Sequence, residues 1–208
     1  MHQRKTITGA ALVLSVLALC PSAKAQNAAP SVPPSAPSSR PSLILYDTTP
    51  TFPKNLWVAS LYGSEAIQPR GAREQLTQIT FGLGYYITDD SSFNLEVTGV
   101  RADQFYNDVT AYGAGGIFRH HLIDQPTWTL FADFGGGVLE DNDRIPPGGT
   151  DFNFTLRAGL GVTAQITNDT DLLFGARFLH LSNADQEGPL RNPCIEAAEV
   201  YCGVMVKL

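Results

Sequence analysis

Hydrophobic and polar residues alternate with a period of two along most of the chain from about residue 56 onward. The run from Thr77 to Thr88 places apolar side chains at every second position and Gln, Thr and Gly between them, and the run from Phe152 to Ile166 repeats the pattern. Successive side chains of a strand point to opposite faces, so this period predicts strands with one apolar and one polar face. There are eight such segments, near residues 56–62, 77–88, 93–98, 108–120, 128–135, 152–166, 171–182 and 195–207.

The connections between these segments alternate in length. Those after the second, fourth and sixth strands are tight, at residues 88–90, 123–126 and 167–170. Those after the other strands are mostly longer, at residues 63–74, 102–107, 139–150 and 184–194. An even number of strands with short turns at one end and longer loops at the other is typical of outer-membrane barrels. The sequence therefore predicts an all-β fold, an eight-stranded antiparallel transmembrane up-and-down β-barrel.

The period alone does not say which face is outside, because a soluble lipid-carrying barrel alternates in the same way with its apolar face inward. The polar face here carries mainly Gly, Thr, Asn and Gln, and only Lys54 and Lys207 remain as lysines once the first 25 residues are set aside. A surface exposed to water is expected to be rich in Lys and Glu. We therefore predict that the polar face lines the interior, which in an eight-stranded barrel is filled by side chains and leaves no open pore.

The amino-terminal region is predicted to lie outside the barrel. Residues 1–25 combine a basic start, an apolar run and the sequence Ala23-Lys24-Ala25, which is typical of a secretory signal peptide. Residues 26–42 are rich in Pro, Ser and Ala and are predicted to form a disordered tether. The barrel is assigned to residues 43–208.

Charge and cysteine usage narrow the class of partner. Removing the signal segment takes away three of the 14 Lys and Arg residues and none of the 20 acids, so the formal charge changes from −6 to −9. Such a balance argues against nucleic acid as a partner. Cys194 and Cys202 would lie about 26 Å apart in one extended strand, which is too far for a disulfide, so two unpaired thiols are expected.

The candidate chemistry lies in the last two segments. His180 and Ser182 are two positions apart in a strand and therefore share a face. If the following strand pairs antiparallel with theirs, Glu196 returns to the same face, because cross-strand neighbours lie about 5 Å apart. A hydroxyl, an imidazole and a carboxylate in this order are the parts of a nucleophilic triad.

All three side chains belong to the apolar, outward faces of their strands, close to the long loops. Ionisable groups that face lipid are costly and usually serve a function. The alternative is that His180 and Ser182 belong to a polar belt hydrated by lipid headgroups, and that Glu196 simply begins a strand.

The residues His180-Leu181-Ser182-Asn183-Ala184 and Asn192-Pro193-Cys194-Ile195-Glu196 resemble the H-x-S-N-A and N-P-G-x-E pattern of the outer-membrane lipid A 3-O-deacylase family, the PagL-like enzymes. The resemblance implies that Ser182 is the nucleophile, His180 the general base and Glu196 the group that orients the imidazole. It further implies that Asn183 supports the oxyanion, and that the substrate is the ester-linked 3-O-hydroxyacyl chain of lipid A. Cys194 stands where the pattern has glycine, and the chain ends in Leu208 where outer-membrane barrels favour an aromatic residue.

The resemblance places the protein in the bacterial outer membrane, with its active site toward the outer leaflet and lipopolysaccharide as substrate. No metal or organic cofactor is expected, and a homodimer stays open. Loop arginines are candidates for contacts with lipid A phosphates, namely Arg70, Arg73, Arg144 and Arg191. The adjacent His120 and His121 face opposite ways in a strand and are not expected to chelate a metal. A non-catalytic small barrel of the structural or adhesin kind and a soluble lipid carrier are the competing interpretations.

Overall fold

The structure, a computed structural model, describes residues 50–69, 74–105 and 107–208. It confirms the predicted fold: eight antiparallel strands form a closed barrel in which each strand pairs with its sequence neighbours and β1 pairs with β8. The strands are β1 (Trp57–Ile67), β2 (Gln75–Thr88), β3 (Ser91–Asp103), β4 (Asp108–Gln125), β5 (Trp128–Ile145), β6 (Thr150–Gln165), β7 (Thr170–Ser182) and β8 (Ile195–Lys207). In the described residues, no helix has the length and apolar character needed to cross a membrane. The predicted signal peptide and tether lie outside the described residues.

The polar faces of the strands point into the barrel and the apolar faces point outward, as the residue types of the polar face predicted. On β2 the side chains of Gln78 and Thr80 are buried in the interior, while Ile79 and Phe81 are 62% and 49% exposed on the exterior. The same arrangement recurs on β3, where Glu96 is buried and Leu95 is exposed. An apolar exterior around a polar interior is required of a membrane-inserted barrel and contradicts the interpretation as a soluble lipid carrier.

Several strands are longer than the sequence indicated. Strand β5 continues to Ile145, so the first part of the loop predicted at residues 139–150 is strand. Strand β1 continues to Ile67 through part of the loop predicted at residues 63–74, and β4 continues to Gln125 through the turn predicted at residues 123–126. These extensions are mostly polar in composition, which suggested loops, yet the chain stays extended and most of their residues pair with neighbouring strands, the exception being residues 142–144 of β5.

The direction of the apolar face reverses at the loop end, which is the end of the barrel where β7 connects to β8. There the interior holds an apolar cluster, while charged side chains of Glu65, Arg101 and Asp108 lie on the exterior. Its members are Ala66, Leu76, Val100, Ala102, Val109, Ala111, Leu139, Ile145, Leu179, Leu181, Ile195 and Ala197. This is the pattern of a protein surface in water, so the apolar belt of the exterior ends below these hairpins.

The turn end, opposite the loop end, is closed by residues that precede β1. Phe52 is fully buried and stacks on the ring of His121 with the centroids 4.4 Å apart. The backbone N–H of Thr51 donates to Asp124 Oδ2 at 2.8 Å, and the N–H of Asp90 donates to the carbonyl of Phe52 at 3.0 Å. These contacts fasten the segment across the end of the barrel.

Charged side chains pack together in the middle of the interior. Asp133 accepts hydrogen bonds from Arg119 at 2.9 Å and from Arg177 at 2.6 Å, and Tyr201 donates to the same carboxylate at 3.2 Å. The cavity beside Arg157 has a volume of about 10 Å³, which is room for about one water molecule. The described interior is therefore packed rather than open, as predicted.

Candidate active site

The β7–β8 hairpin brings the three predicted residues to one face of the barrel. His180 and Glu196 are directly opposed partners in the antiparallel ladder, and Leu181 is paired with Ile195. Since alternate residues share a face, Ser182 follows His180 on the exterior while Leu181 and Ile195 point into the buried cluster at the loop end. The predicted orientation of all three side chains is thus the one observed.

The serine and the histidine are in contact. Nε2 of His180 lies 3.2 Å from Oγ of Ser182, within hydrogen-bond distance for a base and a hydroxyl. The carboxylate of Glu196 is less close: one of its oxygens lies within 4.8 Å of an imidazole nitrogen, and within the described part of the chain no hydrogen bond joins the two side chains. The Glu196 side chain is exposed, and such contacts are often long before substrate binds.

Two asparagines fasten the loop between the serine and the carboxylate. The backbone N–H of Asn183 donates to Asn192 Oδ1 at 3.0 Å, and Asn183 Nδ2 donates to the carbonyl of Arg191 at 2.7 Å. Asn192 Nδ2 in turn donates to Asp185 at 2.7 Å. These bonds link the residue after Ser182 to the segment before β8, so they fix the span between nucleophile and acid.

The loop also has the backbone that its turn requires. Ala184 and Asp185 have φ values of 54° and 60°, in the left-handed region, and a short 3-10 helix follows at Pro189–Arg191. Cys194 is not among the described residues with positive φ, so a cysteine at the position where the family pattern has glycine introduces no backbone strain there.

The remaining predicted residues lie near the hairpin or at the same end of the barrel. Asn183 is buried beneath the loop, and the two bonds it donates are both to the loop itself. Arg191 is exposed and forms an ion pair with Glu187 at 2.6 Å. Arg144 is exposed near the tip of the β5–β6 hairpin. Arg70 and Arg73 lie outside the described residues.

A groove of about 650 Å³ runs over the exterior beside Glu196. Its floor contains Ala198, which lies in the ladders between Phe178 of β7 and Ile67 of β1. A small residue between two large ones leaves a depression next to the carboxylate, and the volume is in the range of small-molecule sites, about 300–1,000 Å³. The residues that line it are Gln68, Pro69, Arg177, Phe178, Cys194, Glu196, Ala197 and Ala198.

The other predicted features behave as expected. His121 is buried and His120 is exposed, on opposite faces of β4, so the pair does not form a chelate. Cys194 and Cys202 are both free and exposed. Asn192 and the rim residues Gln68 and Pro69 are not among the residues for which the sequence pattern predicts a role. The position of Asn192 directly before Pro193 could have singled it out. The groove could not be predicted in this way, because it depends on which strand lies beside β8.

Comparison with known proteins identifies a family and a fold for the chain. A family model described as lipid A 3-O-deacylase (PagL) matches residues 73–205, which is more than half of the chain. No curated protein matches the chain significantly.

Among solved structures, that of the outer-membrane enzyme PagL has a TM-score of 0.53 at 15% identity and covers 72% of this chain and 99% of its own. Neisserial surface protein A has a TM-score of 0.53 at 20% identity, covering 74% and 96%. OprG from Pseudomonas aeruginosa has a TM-score of 0.51 at 11% identity, covering 77% and 99%. At these identities the structural likeness shows the barrel fold alone.

Proposed function

Since the chain belongs to the lipid A 3-O-deacylase (PagL) family, we propose that it is an outer-membrane serine esterase that removes the ester-linked 3-O-hydroxyacyl chain of lipid A. The observation that carries the proposal is the contact of 3.2 Å between His180 Nε2 and Ser182 Oγ on the exterior face. Glu196 lies opposite that histidine in the ladder. The three residues coincide with the positions of the family's sequence pattern.

The serine acts as the nucleophile. A free hydroxyl is weakly nucleophilic at neutral pH, so His180 Nε2 takes the Ser182 proton as Oγ attacks the ester carbonyl. The tetrahedral intermediate then collapses with cleavage of the bond to the sugar oxygen, which receives the proton from His180. Water then attacks the acyl-serine while His180 accepts its proton. His180 returns the proton to the serine oxygen, and the hydroxy fatty acid leaves.

The carboxylate and the loop asparagine act on these groups. Glu196 orients the imidazole and stabilises its protonated form, the role of the acid in such triads. Asn183 holds the backbone that follows Ser182, and one of its two Nδ2 hydrogens is bound to the Arg191 carbonyl. The second is the donor that we propose for the oxyanion.

The groove provides a place for the acyl chain. Ala198 and Phe178 present an apolar surface that leads away from Glu196 along the exterior. A lipid in the surrounding leaflet would enter the groove by lateral diffusion without leaving the membrane. The reversal of the apolar face at the loop end puts the reacting ester near headgroup depth, where we propose that Arg144 and Arg191 contact lipid A phosphates.

The direct test is to incubate the purified protein in detergent with lipopolysaccharide and to identify the products by mass spectrometry. We expect loss of the 3-O-acyl group from lipid A and release of a 3-hydroxy fatty acid. Ser182→Ala should reduce the rate by on the order of 10³-fold or more, because the nucleophile is removed.

The barrel offers a matched control for this substitution. Ser91 Oγ lies 2.9 Å from Nδ1 of His120, which is a second contact between serine and histidine, at the turn end. Ser91→Ala should deacylate at the wild-type rate. If Ser182→Ala folds and still deacylates normally, the esterase assignment is wrong and a non-catalytic barrel becomes the better interpretation.

A further inference from the structure

Three different metal-ligating side chains meet at the edge of the candidate active site. A nitrogen of His180, the sulfur of Cys194 and a carboxylate oxygen of Glu196 all lie within 4.8 Å of one another. The imidazole is half-buried, and the thiol and the carboxylate are exposed. The proposed hydrolysis uses the histidine and the carboxylate but has no role for the thiol.

The geometry of the β7–β8 hairpin places the Cys194 thiol beside His180 and Glu196. Cys194 is two residues before Glu196, so it continues the exterior face of β8 beyond the last ladder pair, Leu181 with Ile195. The same register extended by one pair would place Cys194 opposite Ser182. A side chain at this position therefore projects beside the catalytic groups.

We propose that His180, Cys194 and Glu196 form a binding site for a thiophilic divalent cation of the zinc class, and that its occupation switches the esterase off. Zinc takes thiolate, imidazole and carboxylate ligands at about 2.0–2.3 Å, which puts the ligands of a tetrahedral site about 3.3–3.6 Å apart. The three atoms therefore need to approach by about 1 Å, within the rotational freedom of exposed Cys and Glu side chains. On binding, the thiol loses its proton to solvent, and water takes the fourth position.

Inhibition follows from the identity of the ligands and rests on the proposed function. Nε2 of His180 faces the Ser182 hydroxyl. A cation on Nε2 would displace the serine from its base, whereas a cation on Nδ1 would leave the proton of the neutral imidazole on Nε2, which then has no lone pair for the serine proton. In either position the histidine no longer accepts the serine proton.

Cobalt binding to the purified protein in detergent tests the site without reference to activity. Co²⁺ replaces Zn²⁺ in such sites, and a thiolate ligand adds an intense charge-transfer absorption in the near ultraviolet. We expect this absorption from the wild type, its displacement by Zn²⁺, and binding at least about tenfold weaker in Cys194→Ser. Ca²⁺ prefers oxygen ligands and should not displace Co²⁺.

Cys202→Ser is the matched control. Among the described residues Cys202 is the other free, exposed thiol; it lies on the exterior face of β8, but its ladder partners are Phe174 and Gly63. This variant should keep the cobalt absorption. A missing absorption in the wild type, or equal loss in both variants, would overturn the metal site.

The regulatory part is tested by deacylation of lipopolysaccharide with and without Zn²⁺, each variant being compared with its own rate in the presence of a chelator. Wild type and Cys202→Ser should be inhibited at the Zn²⁺ concentration that displaces Co²⁺ from the site. Cys194→Ser should need at least about tenfold more Zn²⁺. Binding without inhibition would refute the switch. A protein that binds cobalt but releases no fatty acid even with chelator present would instead refute the proposed function and leave the metal site standing.

Discussion

At the scale of single residues, the position of the Ser182 hydroxyl depends on its loop as well as on its strand. Ser182 is the last residue of β7, so strand pairing fixes the backbone before it but not the backbone after it. On the other side, the bond of 3.0 Å from the Asn183 N–H to Asn192 Oδ1 holds the backbone. Reactive geometry tolerates little displacement, since a shift of about 1 Å can cost about 100-fold in rate.

Asn192→Ala should therefore slow deacylation by about 10- to 100-fold while the barrel stays folded. The substitution removes both side-chain bonds of Asn192, to Asn183 and to Asp185. The rate is measured by release of fatty acid, and folding by the electrophoretic mobility of unheated samples. Asn142→Ala is the control, because Asn142 Oδ1 accepts the N–H of Thr110 at 2.9 Å in another hairpin of the loop end. Equal rates in the two variants would show that the asparagine loop does not position the serine.

The sequence predicted the triad at this scale because a period of two fixes the relation between His180 and Ser182. It also predicted the return of Glu196, which needs only an antiparallel pairing of adjacent strands. It did not predict that the Glu196 carboxylate would lie within 4.8 Å of the imidazole without a hydrogen bond to it. It also did not predict that the Cys194 sulfur would lie within the same distance of both groups. Such distances depend on rotamers, which the period does not specify.

At the scale of strands, the groove is a product of register. Ala198 is opposite Phe178 in β7 and Ile67 in β1, whereas the next exterior residue of β8, Val200, is opposite Ala176 and Glu65. The depression therefore lies at one level of the barrel and not along the whole strand.

Ala198→Phe should fill this depression and weaken the use of lipid A. We expect a rise in KM, or a loss of kcat/KM of about tenfold or more, because an acyl chain that is kept out of the groove loses the burial of several methylenes at about 0.8 kcal/mol each. Val200→Phe enlarges the neighbouring exterior residue outside the groove lining and should leave the kinetics near wild type. If both variants deacylate equally well, the acyl chain does not use the groove.

Sequence interpretation was least accurate for the strand ends. Gly63, Ser64 and Glu65 suggested a loop, yet they are paired with β2 and β8. Above the apolar belt the outward side chains of a strand are polar, and at residues 63–65 the composition does not differ from that of a loop. The groove rim at Gln68 and Pro69 was missed because it depends on the pairing of β1 with β8.

At the scale of the whole molecule, charged side chains are paired across the interior of the barrel. Asp133 on β5 binds Arg119 on β4 and Arg177 on β7, and so connects strands that are not neighbours in the sheet. Both arginines and the carboxylate are buried. Removing one partner of such a group leaves a buried charge without compensation.

Asp133→Ala should lower the free energy of unfolding by about 3–5 kcal/mol, measured by urea titration of the barrel in lipid vesicles. Asp103→Ala is the comparison, since Asp103 forms an exposed ion pair with Arg101 at 3.4 Å, and the loss of an exposed pair should lower the stability far less. Similar values for the two variants would mean that the interior network contributes little to stability.

The overall architecture was predictable because each strand shows both its faces in the sequence and each connection joins neighbours. The pairing of Asp133 with two arginines was not, since residues that meet across the interior are related by the closure of the sheet and not by their spacing. The closing of the turn end by Phe52 was missed for a similar reason, because nothing in its neighbourhood alternates.

The meeting of β1 with β8 has a consequence for the chain before it reaches the membrane. The groove takes its rim from residues that follow the first strand and its floor from the last, and the acid stands on the last strand too. A precursor in transit, with its two ends still apart, has no completed pocket for a lipid ester. Since the proposed esterase uses this groove for the acyl chain, we expect hydrolysis only from a chain whose first and last strands have paired.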